Sequence, residues 1–172
     1  MVFPYYQRLS AANKSIYRRS AGIPTVPLAD PDDLRPRVEP IQTALAAGKR
    51  RDTEIACGDL AAALCRDLGV PQVTVKVLAA RPSHDWGELH GLYTRPAGNG
   101  RATITVWMRT AQRRQVVSFR TFLRTLIHEL LHHLDYDLFN LADSFHTEGF
   151  FQRESSLVKQ LAGEGRPRRP RP

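Results

Sequence analysis

The fold depends most on residues 119–138, which read FRTFLRTLIHELLHHLDYDL. Apolar side chains recur in this segment at intervals of three and four residues, which is the spacing of one face of an α-helix. They cover so wide an arc that most of the helix is expected to lie inside the protein. The residues that form this pattern are Phe119, Phe122, Leu123, Leu126, Ile127, Leu130, Leu131 and Leu134. The sequence therefore predicts one long buried helix that ends near residue 138.

The same segment contains ionisable side chains in the HExxH pattern, His128-Glu-Leu-Leu-His132. Residues four apart lie about 40° from each other around a helix axis, so both imidazoles can bind one ion at roughly 2.0–2.1 Å. Glu129 lies about 100° from His128 and is better placed to reach a water molecule than to act as a further ligand. We therefore predict a zinc site in which His128 and His132 are ligands and Glu129 is the catalytic base.

A catalytic zinc site normally has three protein ligands, so one more ligand must come from elsewhere in the chain. His146 is the first candidate, because it follows a predicted loop over residues 140–145 that gives the chain room to reverse. Glu148 and Glu154 are the alternatives, since a carboxylate from a later helix is another known solution. His90 and His84 precede the helix and are expected to be surface or sheet residues.

Three strands are predicted before the buried helix, over residues 72–78, 87–94 and 102–108, where apolar and polar residues alternate. The turn formers of residues 96–101 predict an antiparallel hairpin between the last two strands. We expect a helix over residues 9–19 with Ser10 as its N-cap, and a second helix, over residues 147–161, after the site. The fold class is therefore predicted to be α+β, with a small, mainly antiparallel sheet packed on the HExxH helix.

Between these elements lie a proline-rich segment and two further predicted helices. Five prolines in residues 22–40 predict a connecting segment that crosses the surface. A short helix is expected over residues 41–47, and a longer one that begins at Asp52 or Thr53 and ends at Gly69. The two cysteines of the chain, Cys57 and Cys65, fall in the longer helix about 12 Å apart, which predicts two reduced core thiols rather than a disulfide.

The composition of the chain indicates how it divides into regions and where in the cell the protein is expected. The 172 residues carry a formal net charge of +8, and residues 163–172, GEGRPRRPRP, hold four arginines. We divide the chain into an N-terminal helix with the proline-rich segment (1–40), a main domain (41–162) and a disordered basic tail (163–172) that is a candidate contact for nucleic acid. No apolar run approaches the roughly 20 residues of a membrane span, and residues 1–10 lack the pattern of a secretory signal, so we expect a cytoplasmic protein with no membrane contact.

Several of these residues resemble the SprT-like zinc metallopeptidases. The run TLIHELLHH at residues 125–133 is similar to that family's TLxHExxH helix, and HTEGF at residues 146–150 is similar to its later H-G-x-x-F pattern, with Thr147 in place of the usual glycine. The resemblance covers about residues 87–161. It implies a zincin-like fold in which His128, His132 and His146 bind zinc and Glu129 is the general base. It also suggests that a peptide substrate aligns with the strand edge at residues 103–107.

The resulting hypothesis is a zinc-dependent endopeptidase that hydrolyses protein or peptide substrates with a metal-activated water. The basic tail and the family resemblance favour nucleic-acid-associated proteins as substrates. Two alternatives stay open: a non-catalytic zinc-binding scaffold, and an adaptor that binds nucleic acid through its tail. Asp135 is a candidate to orient a ligand imidazole. Candidate donors to the tetrahedral intermediate are Tyr93, Tyr136, His133 and His90.

Overall fold

The structure, a computed structural model, describes residues 3–84 and 87–162. The helices are α1 (Ala11–Ala21), α2 (Pro31–Leu34), α3 (Val38–Ala46), α4 (Arg50–Asp67), α5 (Phe119–Asp137) and α6 (Glu148–Ala162). The strands are β1 (Thr74–Ala80), β2 (Ser83–His84), β3 (Gly87–Glu88), β4 (Gly91–Thr94) and β5 (Thr103–Arg109). Within the described residues, none of the helices has the length and apolar character that crossing a bilayer requires.

Helix α5 is the long buried helix that the sequence predicts. It begins at the N-cap Ser118, whose side chain accepts a hydrogen bond from the Thr121 N–H. The helix packs against β4 and β5 on one side and against α6 on the other. Because it is covered on two sides, its apolar arc is almost fully buried, including Leu126, Ile127 and Leu134. The three histidines and the glutamate of its HELLHH segment are therefore held in a fixed frame.

The main sheet has three strands in the order β1-β5-β4, which confirms the α+β class but not the mainly antiparallel sheet. The β4–β5 pair is antiparallel, as the predicted hairpin requires, and joins Thr94 to Thr103. The longer β1–β5 pair is parallel, from Thr74↔Thr103 to Ala80↔Arg109. The sheet is therefore mixed, because alternation of residues identifies a strand but carries no information on its direction. The predicted strand over residues 87–94 is also divided, into β3 and β4.

The proline-rich segment is irregular only up to residue 30. Residues 31–46 are mostly helical, so the prediction of a surface connection over residues 22–40 was wrong for its second half. Pro31 stands at the first turn of α2 and Pro40 at the first turn of α3, where the N–H that proline lacks has no partner inside the helix. Leu34 and Val38 are buried, so this segment also contributes to the core.

Helix α4 begins earlier than predicted. Its N-cap is Lys49 rather than Asp52 or Thr53, and the Thr53 hydroxyl instead donates to the Lys49 carbonyl from inside the first turn. The helix ends as predicted, near Gly69 at φ +67°, a conformation that glycine adopts without strain. Cys57 and Cys65 are both free and buried, which confirms two reduced core thiols.

The N-terminal residues pack on the last helix. Ser10 caps α1 as predicted, by accepting from the Asn13 N–H. Helix α1 contacts α6, and the Ser20 hydroxyl lies 3.0 Å from the Thr147 hydroxyl just before α6 begins. Residues 3–23 thus reach the loop that carries His146. The predicted basic tail, residues 163–172, lies outside the described residues.

Candidate metal centre

The three predicted histidine ligands meet at one point. His128 and His132 are one turn apart on α5, and His146 arrives from the loop between α5 and α6. The Nε2 atom of His146 lies 3.0 Å from Nε2 of His128 and 3.2 Å from Nε2 of His132. Each histidine offers one ring nitrogen within 4.8 Å of the others, so the three side chains are close enough to bind a metal ion.

Two of the rings are oriented by hydrogen bonds on their far side. Nδ1 of His128 donates to Glu154 Oε2 at 2.8 Å. Nδ1 of His132 donates to Ser144 Oγ at 2.7 Å, and that hydroxyl donates in turn to Asp135 Oδ2 at 2.7 Å. With a proton on each Nδ1, the Nε2 atoms carry lone pairs, and these lone pairs face one another.

This arrangement fits a transition-metal ion. Two lone pairs about 3 Å apart repel each other unless a cation or a proton lies between them. A tetrahedral ion with bonds of about 2.0–2.1 Å separates its nitrogen ligands by about 3.3 Å, close to the spacing seen here. Imidazole is a ligand that zinc, copper, iron and nickel all accept, so the donor set alone does not select one of them. Burial and the charges of His146 and His128 lower the pKa of His132 to about 3, which keeps His132 in the neutral form that binds metals.

Glu129 lies against β4 rather than among the ligands. Its side chain is 7% exposed, and its Oε1 atom would be 2.4 Å from a Cβ atom added to Gly91. Burial raises the pKa of Glu129 to about 7, against the opposing effects of His128 and of a hydrogen bond from the Tyr93 backbone. The carboxyl group shares the cleft with the three imidazoles, as the sequence predicts for a base.

Glu148 and Glu154, the two alternatives for the third ligand, do not join the point where the three Nε2 atoms meet. Glu154 touches His128 at Nδ1, on the side of the ring away from the converging Nε2 atoms, and it also accepts from Arg124 Nη1 at 2.5 Å. Glu148 is exposed in the first turn of α6. Neither belongs to the group of three that the structure brings together. His90, which was expected on the surface or in the sheet, is exposed at the cleft rim just before β4.

A buried ion pair supports this site, and the sequence analysis missed half of it. Arg153 of α6 donates to Asp135 Oδ1 at 2.7 Å, and both side chains are fully buried. Arg153 also donates to the carbonyl oxygens of Ser20 and Ile23. The Asp135 carboxylate reaches the His132 imidazole through the Ser144 hydroxyl, a contact that was not predicted either. A signal for Arg153 was present, because it stands three residues after Phe150 and four before Leu157, on the apolar side of its helix.

Three of the four candidate donors to a tetrahedral intermediate, Tyr93, Tyr136 and His133, are already engaged in hydrogen bonds. The Tyr93 hydroxyl lies 3.2 Å from Nδ1 of His133, and Nε2 of His133 donates to the Pro71 carbonyl at 2.8 Å. The Tyr136 hydroxyl donates to Asp143 at 3.3 Å. His133 therefore connects α5 to the start of the sheet, whereas Tyr93 and Tyr136 stack on one wall of the cleft.

The cleft that contains these groups has a volume of about 880 Å³. One wall is α5, the second is residues 88–95, and the third is formed by residues of α6 and of the loop before it. The predicted substrate edge at residues 103–107 is not open, because β5 is the central strand and pairs on both sides. The strand that lines the cleft is β4, which pairs only with β5 among the described residues.

Comparison with known proteins adds no relatives. No protein-family model matches the chain, and neither the curated proteins nor the solved structures contain a significant match. The resemblance to SprT-like peptidases therefore stays a prediction from the residues that carry it, and so does the zincin-like fold.

Proposed function

We propose that this protein is a zinc-dependent endopeptidase with a zincin-like fold. The observation that carries the proposal is the convergence of three imidazole Nε2 atoms beside a buried glutamate in an open cleft. Three histidines form the donor set of a catalytic zinc site that leaves one position for water, and Glu129 is a carboxylate outside that set. The HExxH spacing supports zinc over the other metals that accept imidazole.

Each residue has a distinct role in this proposal. His128, His132 and His146 hold the ion, and Glu154 and Ser144 fix the orientation of the first two rings. The zinc ion, when bound, supplies Lewis acidity that activates water and polarises the carbonyl group of a peptide bond. Glu129 takes the proton from the attacking water and returns it to the amine that leaves.

The substrate aligns along β4 as an extended chain. β4 has one free edge among the described residues, and its Gly91 lies against Glu129. A peptide that pairs with this edge gains main-chain hydrogen bonds and runs past the three histidines. Two exposed apolar side chains in the cleft, Leu92 and Phe151, offer contacts for apolar side chains of the substrate. The arginines of residues 163–172 and the SprT-like resemblance support proteins associated with nucleic acid as the natural substrates.

The test compares wild type with Glu129→Gln for zinc content and for cleavage of unfolded casein. We expect both proteins to bind one zinc ion, and the variant to cleave about 10²–10⁴-fold more slowly, because it cannot accept the proton. Glu39→Gln is the matched control, since it removes an exposed glutamate of α3 that lies outside the cleft. If zinc-loaded wild type does not cleave, or cleaves no faster than the variant, the chain is a zinc-binding scaffold instead.

A further inference from the structure

The carboxylates that line the cleft are either paired with a cation or buried. Glu88 accepts from Arg81 and from the Ala111 N–H, both at 3.3 Å. Glu154 is paired with Arg124 and His128, and its side chain is 5% exposed. Glu129 is buried against Gly91. Glu129 and Glu154 are buried, and the partly exposed Glu88 is paired with Arg81, so none of these carboxylates is an exposed, unpaired charge.

The arginines of the cleft are exposed. Arg120 and Arg95 both line the cleft, and no ion pair engages either of them within residues 3–84 and 87–162. The Arg95 guanidinium lies 4.2 Å from the centre of the Tyr136 ring, a cation–π contact that holds it on the cleft wall. Arg124, with 42% of its side chain exposed, adds charge beside its partner Glu154. The accessible charge of the cleft is therefore positive.

These two free arginines lie at opposite ends of the cleft. Arg120 precedes His128 by eight residues of α5, which is about 12 Å along the helix axis. Arg95 rests on Tyr136, eight residues after His128, so it lies about 12 Å away in the other direction. An extended peptide advances about 3.3 Å per residue. The three histidines meet midway between His128 and His132, about 3 Å further along the axis, so a chain that crosses this point meets an unpaired cation about four or five residues away on the Arg120 side and about three residues away on the Arg95 side.

We propose that the cleft selects peptides with acidic side chains, aspartate or glutamate, about four or five residues from the bond at the metal centre on the Arg120 side and about three residues from it on the Arg95 side. Arg120 binds one acidic side chain of the peptide and Arg95 binds the other. Each guanidinium forms a charge-assisted hydrogen bond with the carboxylate that it binds. Apolar residues near the bond contact Leu92 and Phe151. This inference rests on the proposed function, because it names the substrate class of the same cleft.

The test measures peptide binding separately from cleavage. The full-length protein carries zinc and the Glu129→Gln change, so that the peptide is not cut during the titration. A labelled peptide with glutamates at both flanking positions is compared with the same peptide carrying glutamines, by fluorescence anisotropy. We expect the glutamate peptide to bind about tenfold more tightly, since each partly exposed ion pair contributes about threefold. Added salt should reduce the difference.

Variants assign the preference to the two arginines. Arg120→Gln and Arg95→Gln should each lower the binding ratio about threefold, and Arg120→Glu should favour a peptide with lysine at that position. Arg113→Gln is the matched control, because it removes an exposed arginine from the loop after β5, outside the cleft. The inference is overturned if the two peptides bind equally or if Arg113→Gln has the same effect as the cleft variants.

Cleavage by zinc-loaded wild type separates the two proposals. If both peptides are cleaved at equal rates and bind equally, the acidic preference is wrong and the peptidase stands. If the binding preference depends on the two arginines but neither peptide is cleaved, the preference of the cleft for acidic peptides is confirmed and the peptidase proposal is wrong.

Discussion

Among single residues, Gly91 determines how closely β4 approaches α5. A Cβ atom at this position would lie 2.4–2.8 Å from Oε1, Cγ and Cδ of Glu129. Atoms of side chains do not approach so closely, so any other residue here has to displace the glutamate. The lack of a side chain at residue 91 therefore leaves room for Glu129 in its position, and this role could not be inferred from the sequence, in which Gly91 is one of 11 glycines.

The change Gly91→Ala tests this role. The added methyl group should push the Glu129 carboxylate away from the cleft and reduce peptide cleavage at least about tenfold, because a small misplacement of a catalytic group costs much of its effect. Zinc content should not change, since the three atoms nearest to the added methyl group all belong to Glu129 and none to a histidine. Gly58→Ala is the control: no atom lies within 4 Å of its Cβ position, so it should leave cleavage unaffected and stabilise α4 by about 0.5–1 kcal/mol. Full activity of the Gly91 variant would show that the glycine is not needed to position Glu129.

Helix α6 contacts α5 near both ends of the HELLHH segment through two successive residues, Arg153 and Glu154. Arg153 pairs with Asp135 and Glu154 pairs with His128, so one turn of α6 contacts α5 at points seven residues apart. Burial raises the pKa of Asp135, while the charge of Arg153 and the hydrogen bonds from Ser144 and Arg153 oppose that shift. The ion pair therefore keeps Asp135 able to accept from Ser144, which orients His132.

Removing one partner of this pair should be costly. Arg153→Met leaves a buried carboxylate without its cation and should lower the free energy of unfolding by about 3–5 kcal/mol, measured in urea. Lys49→Gln removes an exposed pair with Asp52 and should change it by no more than about 1 kcal/mol. Zinc affinity of the Arg153 variant should also fall, because His132 loses its fixed orientation. Equal stability of the two variants would show that the buried pair contributes nothing.

The sequence predicted those elements whose pattern is local. The helix α5, the β4–β5 hairpin, the cap at Ser10 and the end of α4 at Gly69 all follow from residues within a few positions of each other. The parallel β1–β5 pair does not, since its strands are separated by more than 20 residues and either direction satisfies the alternation. The helical part of the proline-rich segment was missed because proline is unfavourable inside a helix but acceptable in its first turn.

In the site too, residues with a local pattern could be predicted and residues that depend on distant contacts could not. His128, Glu129 and His132 share one helix, so their spacing was enough, and His146 followed from the need for a third ligand. Ser144 could not be found in this way, because a serine in a loop has no periodicity and its role depends on where the loop turns. Asn140, at φ +50°, contributes to that turn, and the Leu141 N–H donates to the Asp135 carbonyl.

Across the molecule, the candidate metal centre joins parts of the chain that are far apart in sequence. The Tyr5 hydroxyl donates to the His146 carbonyl at 2.8 Å, and Ser20 contacts Thr147. The N-terminal residues thus support the loop that brings His146 to α5. An ion that binds all three histidines closes this arrangement and binds the folded state in preference to the unfolded one, so metal binding and global stability should be coupled.

Thermal unfolding with and without zinc tests this coupling. At a zinc concentration of about 100 times the dissociation constant, the free energy of unfolding should rise by about 2.7 kcal/mol, and a chelator should abolish the gain. His146→Ala should remove the effect, because two imidazoles remain. Glu154→Ala should keep it but need about 10–100-fold more zinc, since Glu154 orients His128 without binding the ion. His90→Ala, outside the group of three, serves as the control. Loss of the zinc effect in Glu154→Ala, with its retention in His146→Ala, would instead identify the carboxylate as the third ligand.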